Sequence, residues 1–179
     1  MIIISGPSTI GKNPLIYKIC EIYDFSYVTP YTTRKKRREE LNGKDYTFLS
    51  KMEFQSKIQN KEMTEWDYCL EHYYGYMYDF PGNVCHITHG LSRMALRIKA
   101  KYPHDITTIF LMPDSKERIF DNLKQIYNGK MLHLREALVE EEICHSAMFD
   151  KIFICPKNPL DLLNKEEIVQ FILTEKKTI

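Results

Sequence analysis

The apolar positions of the chain fall into short runs that alternate between two spacings. Ile2-Ile3-Ile4 is a continuous apolar run of the kind found in a strand buried on both faces. Leu15, Ile16, Ile19, Cys20 and Tyr23 then recur at helical spacing, with Pro14 in the first turn, where its missing N–H costs nothing. Phe25 to Val28 reads as a second short strand, Thr29 to Asn42 as a polar, basic loop, and Tyr46 to Leu49 as another strand. Ser50-Lys51-Met52-Glu53 has the form of a capping box, and Phe54 and Ile58 share one side of the helix it opens. An aromatic segment from Glu65-Trp66 to Tyr78 predicts strands and turns.

From Pro81 onward strands and helices alternate again. The pattern predicts a strand over Val84 to Ile87, a helix near Leu91 to Lys101, and a strand over Ile106 to Met112. Pro113-Asp114-Ser115 opens a further helix, Leu132 to Phe149 is helical, Lys151 to Cys155 is a strand, and Leu160 to Thr174 a last helix. Such alternation implies right-handed crossovers and a parallel sheet. The expected organisation is a core of residues 1–28 and 81–179, with a lid at about 125–135 and an inserted region over 29–80.

Chemistry enters first at the end of the opening strand. Gly6-Pro7-Ser8-Thr9-Ile10-Gly11-Lys12 has the spacing of a phosphate-binding loop, in which glycines let backbone N–H groups curl toward a phosphate and the lysine adds a point charge. The residue after that lysine is normally a Ser or Thr whose hydroxyl holds magnesium. Here it is Asn13. Composition narrows the setting without naming a partner. Lys+Arg 25 against Asp+Glu 24 is close to balance, so neither nucleic acid nor an acidic membrane is expected as a partner. Five scattered cysteines without a C-x-x-C pattern point to reduced thiols and a cytoplasmic location. The N-terminal apolar run is too short for a signal peptide or a membrane span.

The second informative stretch is Thr32-Thr33-Arg34 through Phe48. Two arginines three apart, Arg34 and Arg37, are able to converge on one phosphate. The stretch resembles the guanylate kinase signature T-T-R-x-x-R-x-G-E-x-x-G-x-D-Y-x-F, matching at Thr32, Thr33, Arg34, Arg37, Glu40, Gly43, Asp45, Tyr46 and Phe48, with Glu39 in place of a glycine. Glu65-Trp66 and Tyr73-Tyr74-Gly75 are similar to the family's E-W…Y-Y-G at matching spacing. Lys101-Tyr102-Pro103 and Ile109 to Pro113 resemble later segments.

This resemblance implies an α/β P-loop three-layer fold with a parallel core sheet, an inserted small α+β GMP-binding region and a short lid. It implies transfer of the γ-phosphoryl of ATP to GMP with Mg²⁺ carried mainly on the nucleotide phosphates, so no protein metal ligand is assigned. Gly6, Ser8, Thr9, Ile10, Gly11, Lys12 and Asn13 would bind ATP. Arg34, Arg37, Tyr46 and Tyr74, with Gly75, would bind GMP, and Glu65 would read the guanine N1–H and 2-amino group. Lys12, Arg34 and Arg135 would carry catalysis.

Departures from the family pattern gather on the ATP side. Besides Asn13, the D-I-D-x-Q-G segment is matched to Cys85-His86-Ile87-Thr88-His89-Gly90, and Asn128-Gly129-Lys130 replaces the lid's G-R-G. Cys155 stands for an asparagine near the adenine, Pro30 for a serine, and Tyr76 for a Ser or Thr. The stretch from Gly75 to the next strand is short, which suggests a lost helix. His86 and His89 form an H-x-x-H pair, but on a strand leading into a loop their rings diverge, so a zinc site is not assigned. Two alternatives stay open: a catalytically degenerate GMP-binding or protein-interaction module, and a kinase for a different or modified nucleotide.

Overall fold

The computed structural model describes residues 1–77 and 85–177. Along the chain run β1 (Ile2–Ser5), α1 (Lys12–Tyr23), β2 (Ser26–Tyr27), β3 (Tyr31–Thr32), β4 (Thr47–Phe48), α2 (Lys51–Gln59), β5 (Glu65–Cys69) and β6 (His72–Tyr76). They are followed by β7 (His86–His89), α3 (Ser92–Lys101), β8 (Thr107–Pro113), α4 (Lys116–Lys124), α5 (Gly129–His145), β9 (Lys151–Cys155) and α6 (Glu166–Lys177).

Five strands form a parallel sheet in the order β2-β7-β1-β8-β9. All four residues of central β1 are buried, as a parallel sheet covered on both faces requires. Side chains alternate across that strand. Ile2 and Ile4 join Leu15, Ile16 and Ile19 of α1 and Ile168 and Ile172 of α6. Ile3 points the other way, to Met94, Ala95 and Ile98 of α3. The phosphate loop thus leaves the sheet from its centre, anchored from both faces.

A second sheet, in the order β4-β3-β6-β5, is built from the intervening chain. β5 and β6 form an antiparallel hairpin pairing Glu65 with Tyr76 and Cys69 with His72. Its two-residue turn places both Leu70 and Glu71 at positive φ (51° and 66°), the handedness that matches strand twist. The capping box at Ser50 forms in both directions, and Phe54 of α2 is fully buried, stacked 5.2 Å from Tyr73.

Three features differ from the sequence reading. The basic stretch expected to be all loop contains β3, held by Tyr31 and Thr32 pairing with β4 on one side and β6 on the other. Two residues carry no periodicity of their own, so this strand exists only through its neighbours. The helix expected over 132–149 begins three residues earlier and ends at His145 in a 3₁₀ turn, Ser146–Met148. The helix expected over 160–174 is a 3₁₀ turn, Pro159–Asn164, then α6, separated by Lys165 in extended conformation. The predicted start of β7 at Val84, the boundary placed at 80/81 and the shortened stretch after Gly75 lie partly or wholly outside the described residues.

Candidate nucleotide site

The loop after β1 is shaped by its glycines. Gly6 (φ 145°) passes so close to β8 that a Cβ there would stand 2.7 Å from the Leu111 carbonyl oxygen. Gly11 (φ 92°) lies against the Pro159 ring, where a Cβ would stand 2.5 Å from Cγ. Thr9 takes a left-handed conformation (φ 70°), costly for a β-branched residue, and its buried hydroxyl has no partner. Lys12 folds back over this loop and donates to the carbonyls of Gly6 (2.5 Å) and Pro7 (3.0 Å). Burial pulls its pKa down, with Glu142 acting in the opposite direction.

Facing the loop is a corner built from the second sheet. The Arg34 guanidinium makes a two-pronged pair with Glu40, at 2.7 and 2.9 Å, and lies 5.3 Å from the centroid of the Tyr46 ring and 5.6 Å from that of Phe48. Tyr46 meets Tyr74 edge-on at 6.2 Å. Arg37 donates to the Tyr127 hydroxyl at 2.8 Å, and the same Tyr127 ring lies 4.8 Å from the Arg135 guanidinium carbon. Arg135, on the first turns of α5, reaches Ser8 Oγ at 3.4 Å, while its buried Nε has no partner.

Between loop and corner lies a cavity of about 290 Å³. Of the residues expected to bind ATP, Ser8, Thr9, Gly11, Lys12 and Asn13 line it. Gly6 and Ile10 sit beneath the loop, Gly6 against Leu111 and Ile10 in the core. Arg34, Arg37, Tyr46, Tyr74, Gly75 and Arg135 all line it as well. Four cations, Lys12, Arg34, Arg37 and Arg135, therefore face one space whose carboxyls are Glu40, already held by Arg34, and Glu142. Glu142 is buried, and burial raises its pKa to about 7. Such a space suits a polyanion.

Glu65 stands apart from this group. It is not among the described residues that line the cavity. Its Oε1 accepts from Arg97 Nε (2.9 Å) and its Oε2 from Lys101 Nζ (2.6 Å). Asp67, two residues on and hence on the same strand face, pairs with Arg93 (2.6 Å) and Arg97 (3.1 Å). A stripe of basic residues at every fourth position of α3 thus claims both carboxylates of β5. The segment Cys85 to Gly90 divides between the core and the cavity. Cys85 lies beside the end of α6, its thiol near the Lys176 carbonyl, and Ile87 is in the core. His89, Gly90 and Leu91 are the residues of this segment that reach the cavity. His89 accepts or donates at Nδ1 with the Tyr27 hydroxyl (2.9 Å), and burial pushes its pKa down to about 3, so the ring is neutral.

Cys155 is buried under the loop, its thiol donating to the Ile10 carbonyl at 3.6 Å, and burial pushes its pKa up to about 11. Glu142 and Tyr127 escaped the motif reading. Glu142 had a signal: it follows Arg135 by seven residues and Leu138 by four, on one helix face. Tyr127 had none, because its role depends on how α4 and α5 meet.

For phosphate, the fit is direct: the unpartnered Thr9 hydroxyl and Arg135 Nε are buried donors beside a glycine cradle. For magnesium, the oxygens lining the cavity include the Asn13 amide and the Glu142 carboxyl, and among the described residues no group of three or more His, Cys, Asp or Glu forms a cage. That donor set fits an ion arriving on nucleotide phosphates.

A family model described as "Guanylate kinase" matches residues 1–161. The guanylate kinase of Mycoplasma genitalium is 34% identical over 79% of this chain and 62% of its own length. That of Blochmanniella pennsylvanica is 30% identical over 93% of this chain and 84% of its own. This chain therefore spans about three-fifths of the first of these relatives and most of the second. A crystal structure of guanylate kinase from Anaplasma phagocytophilum superposes with a TM-score of 0.78 at 20% identity, covering 98% of this chain and 85% of that one, a likeness of fold. With a glycine cradle, a basic corner facing it and a family match spanning residues 1–161, the chain belongs to the guanylate kinase family.

Proposed function

We propose that this protein is a nucleoside monophosphate kinase that moves the γ-phosphoryl of ATP to GMP, giving ADP and GDP. The observation that carries this reading is the convergence of Lys12, Arg34, Arg37 and Arg135, from three separate parts of the chain, on one cavity beside the phosphate loop. Ser8, Thr9, Gly11, Lys12 and Asn13 hold the donor phosphates, with Gly6 and Ile10 shaping the loop from below. Arg34, Arg37, Tyr46 and Tyr74 hold the acceptor phosphate, and Gly75 lets β6 pack closely on Phe54, where a Cβ would stand 2.9 Å from the ring.

A phosphate oxygen of GMP attacks the γ-phosphorus in line, the bond to the bridging oxygen of ADP breaks, and no strong base is needed. Lys12 and Arg135 offset the charge on the transferring group, and Arg34 orients the attacking phosphate. Magnesium, held by the nucleotide phosphates near Asn13 and Glu142, would neutralise charge on the same group when bound. GMP as acceptor follows from the relatives' names. The cavity lining also includes Pro30, Tyr76, Met94 and Leu138, while the Glu65 carboxylate is paired with Arg97 and Lys101. The partners are small nucleotides. Among the described residues no helix is long and apolar enough to cross a membrane. Five thiols without a disulfide suit a cytoplasmic setting.

One observation favours a second reading, a nucleotide-binding module with little turnover. The Asn13 amide, standing where the metal-binding hydroxyl belongs, is hydrogen-bonded to Asp45. Calorimetry separates both readings from a protein that binds neither nucleotide. Saturable GMP binding that weakens at least tenfold in Arg37→Ala supports the acceptor corner. GMP binding untouched by Arg37→Ala and Arg34→Ala would remove it.

A further inference from the structure

The oddity at position 13 has a partner 32 residues away. Asn13 Nδ2 donates to Asp45 Oδ1 at 3.1 Å. Tyr17, one helical turn on, donates to the same oxygen at 2.9 Å and to the Lys44 carbonyl at 3.3 Å. The first turns of α1 therefore present two donors on one face to a single carboxylate. Its other oxygen accepts from the Leu41 amide at 2.8 Å. The loop so gripped is internally knitted: the Lys44 and Asp45 amides bond the Leu41 carbonyl, Gly43 bonds Tyr46, and Phe48 bonds the Asn42 side chain. Its next residue is Tyr46, whose ring packs on Arg34 and Tyr74.

We propose that Asn13 is a positioning residue that ties the donor phosphate loop to the acceptor corner through Asp45. The consequence for affinity rests on the kinase reading above; the clip itself does not. A serine or threonine at this position places its hydroxyl one bond nearer the backbone than the Asn13 amide nitrogen, too short for this contact. Asn13 supplies that reach. Burial alone would raise the Asp45 carboxyl, but hydrogen bonds from Leu41, Tyr17 and Asn13 hold it below the usual carboxylate range, so it is charged when it accepts them.

Two measurements on the full chain test this. In amide hydrogen exchange without nucleotide, Asn13→Ala and Asn13→Ser should each speed exchange over residues 41–48 by at least fivefold, leaving β8 and α3 unchanged. By calorimetry, Asn13→Ala and Asp45→Ala should each weaken GMP binding five- to tenfold. The double variant should be no more than twofold weaker than Asp45→Ala, and Asp45→Ala should alter ATP affinity less than threefold. A merely structural contact would not split the two nucleotides in this way. Unchanged exchange over 41–48 in Asn13→Ala, or losses that multiply in the double variant, would overturn the clip. Wild-type protein that binds no GMP would remove the kinase reading, and the exchange measurement would still decide the clip.

Discussion

Glu65 and Lys101 form an ion pair 2.6 Å long that turns a carboxylate away from the nucleotide cavity and into a ladder between β5 and α3. The carboxylate is nearly buried, while Lys101 and Arg97 are about half exposed. Removing a buried charge from such a ladder leaves its partners partly solvated, so the loss is modest, roughly 1–2 kcal/mol. Glu65→Gln should therefore lower the urea midpoint by a corresponding amount and change GMP affinity less than threefold. A tenfold loss of GMP affinity at unchanged stability would return Glu65 to a base-reading role.

Arg135 offers an unpartnered, buried Nε beside Ser8 of the phosphate loop. Charge delivered to a transferring phosphoryl group acts in the transition state, and an arginine supplied there is worth about 10³-fold or more in rate. Arg135→Ala should lower kcat by about that factor while KM for GMP moves less than fivefold. Arg135→Lys should recover only part of the loss, because the guanidinium fork is not reproduced by an ammonium. Steady-state kinetics with each substrate varied in turn checks both statements.

Glu142 gives the stability curve a definite slope. Burial raises its pKa from 4.5 to about 7, against the pull of Lys12. Between those values the folded chain keeps a proton that the unfolded chain has released, so this contribution to stability falls as pH rises through the window and levels off above it. The full effect is roughly 3 kcal/mol. Glu142→Gln, neutral throughout, should gain on the wild type by about this amount between pH 5 and pH 8 in chemical denaturation. Parallel curves would contradict the burial argument.

Gly90 is close under Tyr76. A Cβ there would lie 1.8 Å from the Tyr76 hydroxyl, which donates to the His89 carbonyl at 2.8 Å. Gly90→Ala should cost about 2 kcal/mol through overpacking, seen as a Tm drop of roughly 4–8 °C for a chain of this size. Adding Tyr76→Phe removes the clashing atom, so the double variant should melt above Gly90→Ala alone. If it melts lower still, the Tyr76 hydroxyl does not occupy this place.

Much of this architecture was legible where the determinants are local. Ile2-Ile3-Ile4 ending in a glycine loop, and Ser50 with Glu53, specify a strand, a turn and a helix start within a few residues. β3 was not legible, because Tyr31 and Thr32 become a strand only when flanked by two others. Ser8, Thr9, Gly11, Lys12, Asn13, Arg34, Arg37, Tyr46 and Arg135 stand out in the sequence as motif residues, and the tertiary fold gathers them around one cavity. Glu65 stood out as a motif residue, but a motif shows the residue and not its neighbours Arg97 and Lys101. The stripe Arg93, Arg97, Lys101 stood in the sequence at helical spacing, and only packing of α3 on β5 reveals what it binds. Asn13 could be seen as a departure, but its partner Asp45 is set by tertiary structure.

Phosphoryl transfer to a nucleoside monophosphate is the chemistry proposed for the cations of this cavity. The direct measurement is the appearance of labelled GDP from ATP carrying a γ-phosphate label, with GMP and Mg²⁺, for the wild type beside Lys12→Ala. Label should enter GDP, saturate with GMP and fall by at least a hundredfold in Lys12→Ala. Label transfer indistinguishable between the two proteins would contradict it.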